Sequence, residues 1–145
     1  MSVGVSVRHN FETAHRLPQL GRSSKCFNIH GHTWWAEITV VSEAVDERGL
    51  VVEFGEFKHG IREWIDHYLD HGAVLGRDDP LLPLLRNEGC KVYQLETWPT
   101  VEALSGELFT VAGRILATCQ RAPDARILRV VLQEGPVNTA MTGSW

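Results

Sequence analysis

Cysteine is scarce in this chain, with only Cys26, Cys90 and Cys119 among 145 residues. An odd and sparse set of thiols is unlike the disulfide framework of a small secreted domain. No apolar run approaches the ~20 residues that a bilayer-spanning helix needs, so no membrane partner is expected. The N-terminal Met1–Val7 stretch lacks a basic region followed by an apolar core, so no signal peptide is evident. A reducing cytoplasm is the expected location. Basic charge is not in excess either. Fourteen Lys and Arg against 18 Asp and Glu give a net charge of −4 and a pI near 5.9, which argues against a protein that coats nucleic acid or anionic membrane. Repeats, low-complexity tracts and linker-like stretches are also missing, and the length suits one domain spanning 1–145. What remains is 43% hydrophobic and 22% charged, the balance of an ordinary globular protein.

The hydrophobic pattern predicts the elements. Val3, Val5 and Val7 alternate with Gly4, Ser6 and Arg8, a period-two signal that continues toward Phe11. Thr33 to Val41 is rich in β-branched and aromatic residues and reads as a second strand. The connection between them carries Pro18, Gly21 and two serines and is therefore a long loop, a kind of segment that is often functional. Phe54, Phe57, Ile61, Trp64, Ile65 and Leu69 recur at helical spacing and predict a helix from about Glu53 to His71, with Gly72 as its stop. The segment from Gly76 to Trp98 reads as irregular, with a short Val92–Leu95 stretch. Thr100 looks like the N-cap of a second helix striped by Val101, Leu104, Leu108, Val111 and Ile115. Ile127–Leu132 and Val137–Thr142 complete the pattern as two more strands. The order β-β-α-α-β-β predicts an α+β fold, an antiparallel sheet covered on one face by two helices.

The chemistry-bearing residues concentrate in Cys26-Phe27-Asn28-Ile29-His30-Gly31-His32, with His15 upstream in Phe11-Glu12-Thr13-Ala14-His15-Arg16-Leu17-Pro18. Neutral imidazole is a good zinc ligand, and three histidines leave zinc's fourth tetrahedral position open to water or substrate. His30 and His32, two apart at the entry to a strand, point to one face. Cys26 has three readings: a small buried hydrophobe, a fourth metal ligand, or a base or nucleophile activated by a nearby dication. Arg22-Ser23-Ser24-Lys25 is a local basic patch that would suit a small anionic substrate, or else a solvated loop. Asp66-His67 and Asp70-His71 each pair a carboxylate with an imidazole, the arrangement general acid–base catalysis uses; spacing alone favours a solvated helix end for both. His67 and His71, four apart, would share a helix face. Glu134 closes an otherwise apolar strand and is either an ordinary strand-end acid or an acceptor for a guanidine-like heterocycle edge. Trp34 and Trp35 are expected mainly in packing, as is Cys119, while Cys90 falls in a loop.

Taken together, Phe-x-x-Ala-His-Arg-Leu, Cys-x-x-x-His-Gly-His, Leu69-Asp70-His71 and a late strand ending in Glu134 resemble the 6-pyruvoyltetrahydropterin synthase superfamily. The resemblance spans about Val7 to Thr142. Its cysteine-to-histidine spacing is closest to the bacterial 6-carboxytetrahydropterin synthase branch of queuosine precursor biosynthesis. The resemblance implies a tunnelling fold (T-fold) assembled as a homohexamer of two stacked trimers. It implies zinc on His15, His30 and His32, Cys26 as general base, and Asp70 and His71 as a second acid–base pair drawn from an adjoining subunit. Glu134 would anchor the amino-pyrimidine edge of a pterin. The implied activity is a zinc-dependent lyase that turns 7,8-dihydroneopterin triphosphate into 6-carboxytetrahydropterin, acetaldehyde and triphosphate without a redox cofactor. The alternatives are a 6-pyruvoyltetrahydropterin synthase, a pterin-binding paralogue without turnover, and a zinc hydrolase that needs no cysteine. Three positions depart from the family pattern: Thr13 stands where Ala is usual, Glu53 where Asp is frequent, and Gly135 follows Glu134 where Thr is common.

Overall fold

The computed structural model describes every residue from Met1 to Trp145. Its organising feature is a long antiparallel pair, β1 (Val3–His15) and β2 (His30–Ser42), thirteen residues each, in continuous register from Val3 opposite Ser42 to His15 opposite His30. Strand β2 continues into β5 (Arg126–Glu134), and β5 into β6 (Asn138–Gly143), both antiparallel. A bulge between Thr39 and Val40 shifts the β2–β5 register. Helix α1 (Phe54–Tyr68) crosses behind the sheet, as does α3 (Val101–Leu116).

These six elements reproduce the predicted order, and the structure adds three more. Strands β3 (Gly72–Gly76) and β4 (Val92–Leu95) extend the sheet beyond β1 in parallel, with the short helix α2 (Leu81–Asn87) connecting them. The sheet order is therefore β4-β3-β1-β2-β5-β6, and the sheet is mixed rather than wholly antiparallel. The expectation of an irregular 76–98 segment is corrected here. Strand β3 is only five residues long and buried throughout most of its length, so it shows no alternation. Parallel strands covered on both faces read as short apolar runs.

Local chemistry explains where the helices start. Glu53 is the N-cap of α1, its carboxylate accepting from the backbone N–H groups of Gly55 and Glu56. Those bonds hold its carboxyl below the usual carboxylate range. Thr100 caps α3 by accepting from Ala103 N–H at 3.1 Å. Helix α1 ends at Tyr68, three residues short of the predicted His71. Gly72 does not stop the helix but opens β3. The helices bury Phe57, Ile61 and Ile65 from α1 and Leu104, Leu108, Ala112 and Leu116 from α3 in one core with Phe11, Trp34, Ile38, Val130 and Leu132 of the sheet. Burying each large aliphatic or aromatic side chain contributes about 1.5–3 kcal/mol. No helix is long and apolar enough to cross a membrane. The three cysteines are all free, with Cys119 buried and Cys90 exposed.

Candidate metal centre and its cavity

The register of β1 and β2 builds the centre. His15 lies directly opposite His30, and Thr13 opposite His32. All four side chains belong to the sheet face that carries Phe11 and Trp34, because side chains two apart share a face. Three imidazoles are thus brought together from two strand ends, with their donor nitrogens all within 4.8 Å of one another. Ring centroids are 4.6 Å apart for His15 and His30, 5.2 Å for His15 and His32, and 4.9 Å for His30 and His32.

Two backbone carbonyls fix how the rings face. His15 Nδ1 bonds Pro99 O and His30 Nδ1 bonds Asn28 O, both at 2.7 Å. A carbonyl can only accept, so each Nδ1 carries the proton and each Nε2 presents a lone pair. This is the outer-shell bonding that orients metal-ligating histidines. The Nε2 atoms of His15 and His32 are buried without any hydrogen-bond partner. Unpaired buried polar atoms are costly, and here they point toward a common place. Burial pushes both imidazoles below their ordinary pKa, outweighing the nearby Glu134 charge. In His15 and His32 this favours the neutral imidazole, the form that binds a cation. Donor nitrogens this close to one another could share one divalent ion.

Trp34 is the floor of the centre. Its fully buried indole stands edge-on to His15 and His32 and donates Nε1–H to Thr13 O at 3.1 Å. Trp35 turns to the opposite face, where the Arg8 guanidinium lies 5.0 Å from its ring centroid. Glu134 pairs across the ladder with Trp34 and reaches the centre from β5. Its carboxylate oxygens lie 3.6 Å from His15 Nε2 and 3.8 Å from His32 Nε2. The same side chain lines an open cavity of about 590 Å³, together with Leu17, Thr100 and Val137. A cavity of that size suits a small organic ligand. Gly135 begins the turn after it at φ +64°, a conformation that favours glycine, and a Cβ there would only graze His32 at 3.7 Å. The turn therefore accounts for glycine at this position.

Cys26 sits half-buried on a short 3₁₀ turn, Lys25–Phe27, within the loop joining His15 to His30. Its carbonyl accepts from Leu17 N–H at 2.7 Å and its N–H donates to Ser24 Oγ at 3.2 Å. The sulfur is not one of the clustered donors. Arg16 braces the loop through paired bonds to the buried Asp79, Nε to Oδ2 at 2.9 Å and Nη2 to Oδ1 at 2.6 Å.

The two Asp-His pairs separate cleanly. Asp66 is occupied by Arg62, one turn away on α1, and His67 packs on Tyr68. This is the solvated helix face that spacing favours. His71 lies beyond the end of α1, so it shares no helix face with His67. Instead it bonds Asp70 Oδ2 through Nδ1 at 2.8 Å, while Asp70 Oδ1 accepts from Glu12 N–H at 2.8 Å. Burial raises the Asp70 carboxyl, but the bonds from Glu12 N–H and His71, with the Arg62 charge, more than offset it and hold it below the usual range. Neither residue bonds any of the three clustered histidines. His71 N–H donates to Glu12 O, three residues before His15 on β1, about 10 Å along the strand at ~3.3 Å per residue. Pro99, Asn28 and Glu12 act through backbone atoms, and nothing in their side chains announces those roles.

Comparison with known proteins follows the same lines. Residues 4–143 match the family model described as 6-pyruvoyl tetrahydropterin synthase. The sequence is 35% identical to the 6-carboxy-5,6,7,8-tetrahydropterin synthase of Rickettsia bellii over 100 residues, covering 68% of this chain and 71% of that protein. It is 27% identical to the protein of the same name from Aquifex aeolicus, over 94% of each sequence. Among solved structures, an uncharacterised protein of Wolinella succinogenes superposes with a TM-score of 0.79 at 19% identity, covering 100% of this chain and 99% of that one. The 6-pyruvoyl tetrahydropterin synthase of Caenorhabditis elegans gives 0.71 at 19% identity, covering 100% and 97%. These superpositions share the mixed curled sheet and its three helices.

Proposed function

Since this protein belongs to the 6-pyruvoyl tetrahydropterin synthase family, we propose that it is a 6-carboxy-5,6,7,8-tetrahydropterin synthase. The reaction is conversion of 7,8-dihydroneopterin triphosphate and water into 6-carboxytetrahydropterin, acetaldehyde and triphosphate. The observation that carries the reading is the set of three oriented imidazoles beside Glu134 and the loop bearing Cys26. The curated relatives of this name supply the choice of product.

His15, His30 and His32 are the residues that would hold zinc, and the paired-up Nδ1 atoms and orphaned Nε2 atoms suit it. When bound, the ion supplies Lewis acidity toward the hydroxyls of the substrate tail. The protein's own groups do the rest. Glu134 accepts hydrogen bonds from the amino-pyrimidine edge of the pterin in the adjoining cavity. Cys26 takes a proton from a carbon of the substrate tail that the neighbouring ring imine has made acidic. Asp70 holds the His71 imidazole by Nδ1 and leaves Nε2 to pass protons as triphosphate departs and the ring is reduced at the tail's expense. This dyad is contributed by an adjoining subunit of a homohexamer, which agrees with its separation from the histidines within one subunit. A cytoplasmic setting agrees with three free thiols, and the product would feed queuosine precursor biosynthesis.

The test is incubation of zinc-loaded protein with 7,8-dihydroneopterin triphosphate, with products identified by mass spectrometry and acetaldehyde assayed in parallel. Equal amounts of 6-carboxytetrahydropterin and acetaldehyde are expected. A pyruvoyl product without acetaldehyde would reassign the protein to the pyruvoyl-forming reaction. Cys26→Ala should abolish turnover while retaining zinc, and full activity in that variant would point to metal-driven hydrolysis instead.

A further inference from the structure

The loop that carries Cys26 also carries cations that no carboxylate neutralises. Arg16 is fully engaged by Asp79, and Arg8, Arg48, Arg62, Arg77 and Arg126 each have an acidic partner. Arg22 and Lys25 have none, and neither donates a side-chain hydrogen bond. Arg22 is nevertheless not left to wander, because its guanidinium lies 5.3 Å from the ring centroid of Phe27, the residue after Cys26. The Arg16 guanidinium sits at the same distance from that ring. Phe27 therefore holds one guanidinium already neutralised and one still available. Stacking of this kind orders an arginine while leaving its in-plane N–H donors free.

We propose that Arg22 and Lys25 form the polyphosphate-binding lobe of the site, a role that rests on the pterin triphosphate reading above. The net charge of the protein is −4, so a polyanionic substrate meets long-range repulsion that only a local cluster of cations offsets. Both cations stand on the loop that joins His15 of β1 to His30 of β2. One end of the loop follows His15, and Leu17 reaches into the cavity beside Glu134. The other end leads into His30 through Asn28, whose carbonyl orients that ring. A pterin anchored at Glu134 with its tail over the histidines directs its phosphates past Cys26, to the stretch of loop on which Lys25 and Arg22 stand. Charge-assisted bonds from these two groups would hold the triphosphate equally in the bound substrate and in the transition state, and set the preference for phosphorylated over unphosphorylated pterins.

Two titrations test this: calorimetric binding of inorganic tripolyphosphate, with retained zinc quantified afterwards, and steady-state turnover of the pterin triphosphate. The Arg22→Gln/Lys25→Gln double variant is expected to bind tripolyphosphate at least about tenfold more weakly and to raise KM by a similar factor, with kcat within about twofold of the parent. Its binding should also depend less steeply on salt. Lys58→Gln, an exposed cation on α1 without an acidic partner, serves as the control and should match the parent. Unchanged tripolyphosphate binding and KM in the double variant would overturn the proposal, as would equal weakening in Lys58→Gln. Parent protein that turns over no pterin triphosphate, yet binds tripolyphosphate through Arg22 and Lys25, would sink the lyase reading and uphold the anion lobe.

Discussion

His71 is the only non-glycine residue of the protein with positive φ, at +61°. Such backbone costs on the order of 1–3 kcal/mol and persists where the surroundings demand it. Here the demand is visible: Glu12 O takes the His71 N–H at 2.7 Å, and Asp70 on one side bonds Glu12 N–H. Together they turn the imidazole out of the sheet, leaving its side chain 79% exposed. Packing within its own subunit does not explain a residue kept strained and exposed in this way, which agrees with the proposed role across an interface. Glycine adopts this φ without penalty, so His71→Gly should be more stable than His71→Ala by roughly 1 kcal/mol. Both variants should lose turnover and keep their zinc. Urea midpoints and metal content check the pair, and a His71→Gly protein less stable than His71→Ala would show that the strain reading is wrong. None of this was legible in the sequence, where Asp70-His71 and Asp66-His67 differ in nothing that spacing reveals; only the family resemblance separated them. The clustering of His15, His30 and His32 was legible in part, because His-x-His at a strand entry puts both rings on one face. Their carbonyl partners were not, since Pro99 lies 84 positions from His15 and offers only backbone.

At the scale of elements, the loop that carries Cys26 is attached to the rest of the protein by few bonds. The strongest is the Arg16–Asp79 pair, which ties the end of β1 to the turn before α2. Asp79 also accepts from Leu81 N–H at 2.9 Å, so the same carboxylate fixes the start of α2. Burial pushes this carboxyl up, but the Arg16 bonds and the Leu81 N–H outweigh it and hold it below the usual range. A carboxyl whose folded pKa is depressed stabilises the fold fully above its unfolded value, near 3.9, and loses that contribution as pH falls through the lower folded value. Asp79→Asn should therefore cost about 1–3 kcal/mol at pH 7. The gap between parent and variant should hold steady down to about pH 5 and close progressively toward pH 3 and below. Urea denaturation across that range reads it directly, and a gap that stays constant to pH 2 would remove the ion pair as its cause. Sequence patterning captured α1, α3 and the four long strands because each presents a clear stripe or alternation. It missed β3 and α2, and left β4 as an unassigned stretch, because all three are short: four to seven residues each. Parallel pairing adds a further obstacle, since partners such as His15 and Val74 are joined through a helix and not through a turn.

The whole molecule leaves two sheet edges, β4 and β6, and one partly exposed face on β1, β2 and β6. That face shows Trp35 and Met141 at 38% and 49% exposure, with Arg8 and Glu37 between strands. Open edges are liabilities that closed assemblies remove, and a homohexamer whose sheets join into a barrel would remove these. Such an assembly would also account for the separation within one subunit, since the proposed dyad, some three strand residues from the histidines of its own chain, would serve a neighbour's. Subunit mixing tests this at the right scale. His30→Ala removes a proposed metal ligand and His71→Ala the proposed proton shuttle, so each homo-oligomer should be inactive. A site completed across an interface needs its histidines from a His71→Ala subunit and its dyad from a His30→Ala subunit. Random reassembly of equal amounts should then restore roughly a quarter of parental sites, in keeping with a rotationally closed assembly. Activity should appear only after the oligomers have been dissociated and reassembled together, not on simple mixing. No recovery from fully mixed oligomers would mean that each subunit completes its own site, and would require His71 to reach the metal histidines by a movement of β3 against β1.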